Sequence, residues 1–252
     1  MMFVDDIVIC KSRVQVEESL EKWSIMVKGH QLLLFFILCL CSHAVSEGLS
    51  SKQVTFPDGP DAPRVVLHTS VQTISAMTLC QRFFSDLPRY QSLFSLATRQ
   101  NSNAVLLGRE SAGSYSMYLG SAYYVISGLP EKQFEWNSIC WTWSTNTGLS
   151  QVWLNGKRTV QKRLTASVLT GDLSIILGQE QDSFGGAFDS KQSFEGDITD
   201  VHVWDSVLPA CQISSYMNGI ISTPGNILNW EAVKYGIEGS VFVHESDFSC
   251  SS

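Results

Sequence analysis

Asn155-Gly156, set between Trp153-Leu154 and Lys157-Arg158-Thr159, constrains the fold more than any other short feature of this chain. Both central residues of a type I′ turn need positive φ, which Asn and Gly tolerate, so the dipeptide predicts a two-residue β-hairpin. Short apolar or alternating runs recur on either side of it, at 65–67, 92–97, 104–107, 116–119, 139–144, 151–154, 173–177, 198–203 and 240–244. Many short strands separated by Gly-rich turns predict an all-β chain, folded as a two-sheet antiparallel jelly-roll sandwich. One helix is expected at 209–217, with Pro209 near its first turn and Asn218-Gly219 as its stop.

The start of the sequence reads differently. The apolar run 32–41 (LLLFFILCLC) is well short of the roughly 20 residues a membrane-spanning helix needs. With Lys28 ahead of it and small residues at Ala44 and Ser46 behind, residues 26–46 have the form of a signal peptide, which implies secretion into an oxidising compartment. Residues 1–25 are of another kind. Phe3-Val4-Asp5-Asp6 followed by Ile7-Val8-Ile9 resembles a fragment of a mobile-element reverse transcriptase, from Met2 to Trp23. A polymerase site needs a further carboxylate and a surrounding palm, which nothing downstream supplies. Asp5 and Asp6 are therefore expected to be inert, and residues 1–25 are read as a foreign or mispredicted leader. The expected domain, 47–252, keeps Cys80, Cys140, Cys211 and Cys250, an even set whose three possible pairings the spacing leaves open.

Charge and motif exclude several functions. Asp and Glu outnumber Lys and Arg by 24 to 17, giving a net charge of -7, and with the basic residues read as dispersed this argues against a nucleic-acid surface. The histidines have no zinc-ligand spacing, and no nucleophile elbow, GxGxxG or P-loop occurs. A jelly-roll glycosidase would need two carboxylates flanking a cleft, for which Glu131 and Glu135 are candidates by composition; two solvated acids are the simpler reading. The chain is accordingly read as a non-enzyme.

The segment 178–192, GQEQDSFGGAFDSKQ, is rich in oxygen ligands. Glu180, Asp182 and Asp189 with the amides of Gln181 and Gln192 supply what a Ca²⁺ loop needs, and Gly185-Gly186 lets it fold back on itself. The EF-hand order is absent. By composition alone, a solvated polar loop would explain it as well.

Ordered motifs across the domain settle the choice. Ser138-Ile139-Cys140-Trp141-Thr142-Trp143 resembles the pentraxin signature His-x-Cys-x-Ser/Thr-Trp, with Ser138 in place of the His. Val54-Thr55-Phe56-Pro57, Ser92-Leu93-Phe94-Ser95, Trp153-Leu154-Asn155-Gly156, Gly196-Asp197-Ile198, Val203-Trp204-Asp205 and Asn226-Ile227-Leu228-Asn229-Trp230 extend the resemblance over about Gln53 to Glu245.

The resemblance implies a Cys80–Cys140 disulfide joining strands across the sandwich, with Cys211 and Cys250 free to form a second pair. It also implies two Ca²⁺ ions sharing one loop. Glu180, Asp182 and the main-chain carbonyl of Gln181 would serve the first, with Asn103 from a strand-end pair in which Ser102 replaces an Asp; Glu180, Asp182, Asp189 and Gln192 would serve the second. The lost carboxylate should weaken the first ion. Family members that bind choline place an apolar floor and a Glu where Gly108 and Tyr123 stand here, which argues against phosphocholine. Tyr118 matches a tyrosine found beside the ions in one branch of the family, which favours other anionic phosphoryl or carboxylated groups. The family is a set of secreted, calcium-dependent, lectin-like recognition proteins of innate immunity and the acute phase, which implies a cyclic homopentamer, microbial or damaged-cell surfaces as targets, and complement or Fc receptors as partners. The rival class is a laminin-G-like adhesion module.

Overall fold

A computed structural model describes residues 46–59 and 61–248. The expected leader 1–25, all but the last residue of the expected signal peptide, and Cys250 lie outside the described residues. The strands in chain order are β1 (Ser46–Glu47), β2 (Lys52–Phe56), β3 (Arg64–His68), β4 (Thr73–Ile74), β5 (Ala76–Phe84), β6 (Gln91–Thr98), β7 (Asn101–Ser111), β8 (Ser114–Leu119), β9 (Ala122–Ile126) and β10 (Asn137–Ser144). They continue as β11 (Leu149–Leu154), β12 (Lys157–Arg158), β13 (Lys162–Arg163), β14 (Leu169–Thr170), β15 (Leu173–Leu177), β16 (Gly196–Trp204), β17 (Leu228–Asn229), β18 (Lys234–Glu238) and β19 (Phe242–Glu245), with one helix, α1 (Ala210–Met217). Two large antiparallel sheets result: β1-β18-β3-β15-β6-β7-β8-β9, and β12-β11-β10-β5-β16-β2-β19, with β13 and β17 paired at the flanks of the second.

Alternation along the strands builds the core between these sheets. Ile139, Trp141 and Trp143 of β10 and Met77, Leu79 and Phe83 of β5 point inward, meeting Val105 and Leu107 of β7, Met117 of β8 and Ile175 and Leu177 of β15. The other faces of β5 and β10 are buried too, because α1 covers them: Ile213 and Tyr216 pack with Trp153, Trp204 and the Cys80–Cys140 pair in a second cluster. The expected hairpin forms, with Asn155 at φ 48°, Gly156 at φ 77° and Leu154 opposite Lys157. The helix follows Pro209 and stops at Asn218, with Gly219 at φ 78°.

The disulfide departs from the expectation in one respect. Cys80 and Cys140 are bonded, but they face each other on neighbouring strands of one sheet, β5 and β10, with Cα atoms 4.1 Å apart. The bridge thus staples the outer surface of that sheet beneath α1 and does not cross the sandwich. Cys211 is exposed and has no disulfide partner among the described residues. The basic residues are also less dispersed than the composition suggests: Lys157, Arg158, Lys162 and Arg163 are all exposed on the two short strands that edge β11.

Ser138, the departure from the family signature, lies in the same outer layer. Arg82 is fully buried there, donating to Ser138 Oγ, to the Tyr216 carbonyl at 2.6 Å and to Asp200 at 2.8 Å. Its guanidinium also stacks over Phe248 at 4.0 Å. A buried guanidinium must have its donors satisfied, and this set of partners does so.

Candidate calcium and ligand site

The acidic loop is laid over the outer face of the first sheet by two serines. Ser92 pairs with Gly108 and Ser95 with Leu106, and a register shift between Ser92 and Phe94 lets both hydroxyls rise on the same face. Ser92 Oγ donates to the Gln179 carbonyl at 3.5 Å, and Ser95 Oγ accepts the Gln181 N–H at 3.2 Å. The loop therefore advances along β6 and β7 toward the end of β7 that carries Asn103.

Gln181 is the loop's anchor. Its buried side-chain amide donates to the carbonyls of Ser95 at 3.2 Å and Ser174 at 3.1 Å and accepts the Gly185 N–H at 2.9 Å, so its carboxamide is consumed by the fold. That leaves its expected contribution to an ion with the main chain. The turn beyond it is closed by reciprocal backbone bonds between Ser183 and Gly186, with Gly185 at φ 76°. Asp189 caps the 3₁₀ turn Ser190–Gln192, accepting the Lys191 N–H through Oδ1 at 2.9 Å.

Two acceptor oxygens bear on whether these residues fit a metal ion. Asn103 Oδ1 and Gln192 Oε1 are both buried without a hydrogen-bond partner, although buried polar atoms are nearly always paired. Each belongs to the residues expected to hold calcium and is of the kind a hard cation binds, although Gln81 Oε1 and Gln179 Oε1 are orphaned in the same way outside that set. Glu180 is buried and accepts the Tyr90 hydroxyl at 2.8 Å. Burial first, and then the carboxylates of Asp182, Glu110 and Asp189, push its protonation upward, opposed by the Tyr90 bond. A divalent cation would relieve that crowding of negative charge. Among the described residues no three His, Cys, Asp or Glu side chains converge on one point, so an ion bound there would have to draw on amide and main-chain oxygens as well as carboxylates.

Two further aromatics border the carboxylates. Tyr118 and Tyr123 pair across β8 and β9 and stack, with ring centroids 4.9 Å apart and planes at 13°. Tyr123 is 60% exposed. Burial, then Glu110, Tyr123 and Glu180, raise the Tyr118 phenol above its ordinary range.

Glu131 and Glu135 do not form a pair across a cleft. Glu131 is buried, contrary to the simpler sequence reading, and is saturated by Arg109 at 2.6 and 2.9 Å, the Gly113 N–H at 2.9 Å and the Tyr115 hydroxyl. Glu135 is exposed beside Lys132. A carboxylate with every acceptor site occupied serves the fold and leaves no oxygen for a sugar.

Two large antiparallel sheets with a loop over one outer face and a helix over the other define an all-β jelly-roll sandwich. The fold is similar to that of the heptameric SAP-like pentraxin from Limulus polyphemus, with a TM-score of 0.71 and 24% identity, covering 78% of this chain and 96% of that one. The sequence profile described as the Pentaxin family matches residues 52–245, and the chain belongs to that family. It is 39% identical to mouse C-reactive protein over 221 residues, covering 84% of this chain and 96% of the relative. Human serum amyloid P-component is 41% identical over 197 residues, covering 77% and 87%. The laminin α1 LG4-5 domains of mouse share the fold at a TM-score of 0.51 but only 10% identity.

Tyr90, like Glu110, is a residue of this site that sequence reading passed over. It lies ninety positions from Glu180 and carries no local pattern, and the pairing of β6 with β7 is what brings it there.

Proposed function

We propose that this protein is a secreted, non-enzymatic, calcium-dependent recognition protein that binds anionic phosphoryl or carboxylated groups on microbial or damaged-cell surfaces. Family membership supports the recognition role. The observation that carries the calcium reading is the pair of buried, partnerless oxygens, Asn103 Oδ1 and Gln192 Oε1, in company with the crowded carboxylate of Glu180. Glu180, Asp182, Asp189, Gln192, Asn103 and the Gln181 carbonyl would hold two ions, and the ligand's own oxygens would complete their coordination.

Assembly as a ring, a cyclic pentamer in this reading, would set every calcium face on one side, so that weak single sites gain avidity on a repetitive surface. In each protomer the loop and α1 lie on opposite sides of the sandwich, which leaves the helix side for complement or Fc-receptor partners. Among the described residues no helix is long and apolar enough to cross a membrane. Residues 1–46 are proposed to be removed, as foreign leader and signal peptide, before the domain functions.

Chromatography on phosphoethanolamine-agarose tests the reading. Retention in calcium with release by a chelator is expected; passage through the column regardless of calcium, with binding to a matrix glycan instead, would favour an adhesion module.

A further inference from the structure

The arch of the acidic loop carries two phenylalanines, each close in sequence to an acid: Phe184 follows Asp182 by two residues, and Phe188 directly precedes Asp189. Both are half-buried, and each ring lies under the guanidinium of an arginine from a different strand end. Arg99, in the turn between β6 and β7, stands 4.7 Å from the Phe184 ring centroid, and Arg64, the first residue of β3, stands 4.7 Å from that of Phe188. Each guanidinium is also tied back to the frame of the first sheet. Arg99 Nε donates to Asp172 Oδ2 at 2.9 Å, while Arg64 donates to Glu238, its cross-strand neighbour on β18, and to the Ala62 carbonyl at 3.2 Å.

The arch has two features that work against its own order. Between the phenylalanines it bends through Gly185 at φ 76° and Ala187 at φ 58°, a left-handed conformation that an L side chain such as that of Ala187 disfavours. Asp182 and Asp189 also act on Glu180 as like charges, so without a cation the carboxylates push apart the segment that carries them.

We infer that Arg64 and Arg99 are positioning residues of the calcium-dependent site: their guanidiniums hold Phe188 and Phe184, and through them Asp189 and Asp182, in place for the ions. This rests on the calcium reading above and deepens it. The arginines act on the fraction of chains whose arch stands ready, and apparent affinity falls in proportion to that fraction. The sign of the effect separates positioning from a bare electrostatic field. Each guanidinium is paired with a carboxylate, so its removal leaves Glu238 or Asp172 uncompensated and, by charge alone, should tighten a cation. Loss of positioning should weaken it. A cation over an aromatic face counts for more when desolvated, and the Arg64 side chain is 19% exposed against 65% for Arg99, so Arg64 should matter more.

The test uses the protein secreted from cells expressing the full chain, as wild type, Arg64→Gln, Arg99→Gln, Phe188→Leu and the double variant Arg64→Gln/Phe188→Leu. Calcium affinity is read by titration calorimetry, and order of the arch by amide hydrogen exchange of residues 182–189 in chelator.

Arg64→Gln should weaken calcium about fivefold and Arg99→Gln about twofold, with unchanged stoichiometry. Exchange over 182–189 should quicken by similar factors while β5 and β10 keep wild-type protection, a pattern that general destabilisation would not give. Phe188→Leu, which alters no charge, should weaken calcium at least as much as Arg64→Gln, and the double variant should be no weaker than Phe188→Leu. Calcium binding as tight as wild type or tighter in Arg64→Gln, with wild-type exchange, would overturn the inference and leave the calcium reading intact. Additive losses in the double variant would refute the guanidinium–ring contact as the means of holding the arch. A wild-type protein that takes up no calcium would overturn the calcium reading itself, whatever the exchange of the variants.

Discussion

Glu180 accepts a hydrogen bond from Tyr90 at 2.8 Å, yet burial and three neighbouring carboxylates hold its proton more tightly than an ordinary glutamate would. Since the folded-state affinity for the proton exceeds that of the unfolded chain, whose reference value is 4.5, the native state retains more protons than the unfolded chain as pH rises through that value. Stability without calcium must then fall with rising pH over this window. Glu180→Gln removes the penalty. In chelator at pH 7 the variant should melt above wild type, with the gap closing toward pH 4, and added calcium should raise the melting temperature of wild type alone.

His202 gives the opposite slope. It is fully buried between Trp204 and Tyr216, and desolvation lowers its pKa to about 4. The unfolded chain, titrating near 6.5, binds the proton first, so stability present above 6.5 is lost as pH falls toward 4. Urea denaturation should show wild type losing up to about 3 kcal/mol across that window and His202→Gln losing much less.

The buried pair of Arg109 and Glu131 separates a structural carboxylate from a catalytic one. Glu131→Ala leaves a guanidinium uncompensated in the interior and should cost about 3 kcal/mol or more by urea denaturation. Calcium affinity measured on the folded fraction should be unchanged.

Cys80 and Cys140 close a loop with a sequence separation of 60. In the chain-entropy view such a bridge stabilises by about 4 kcal/mol, so Cys80→Ala/Cys140→Ala should show a loss of that order in urea denaturation. Mass spectrometry of tryptic peptides with and without reduction should also show whether Cys211 and Cys250 join, which is the expected second pair.

The fold was legible wherever the pattern is local. The Asn155-Gly156 hairpin, the helix stop at Asn218-Gly219 and the Gly185-Gly186 turn each depend on φ preferences of adjacent residues, and each forms. The strand β5 escaped the reading because its outer face is buried as well: AMTLCQRFF shows no alternation once α1 covers Cys80 and Arg82. The pairing of Cys80 with Cys140, carried by the resemblance, forms, but the expected crossing of the sandwich does not, because nothing local in the sequence tells neighbouring strands from strands facing across a core. In the site, composition and resemblance marked the loop, but the placing of Tyr90 over Gly108 arises from cross-strand pairing and leaves no trace in spacing.

Titration calorimetry with calcium on the chain secreted from cells tests the proposed function most directly. Uptake of two ions per chain, the first weaker for want of a carboxylate at Ser102 and both impaired by Asp182→Asn, is the predicted result. The absence of any uptake at millimolar calcium would contradict it.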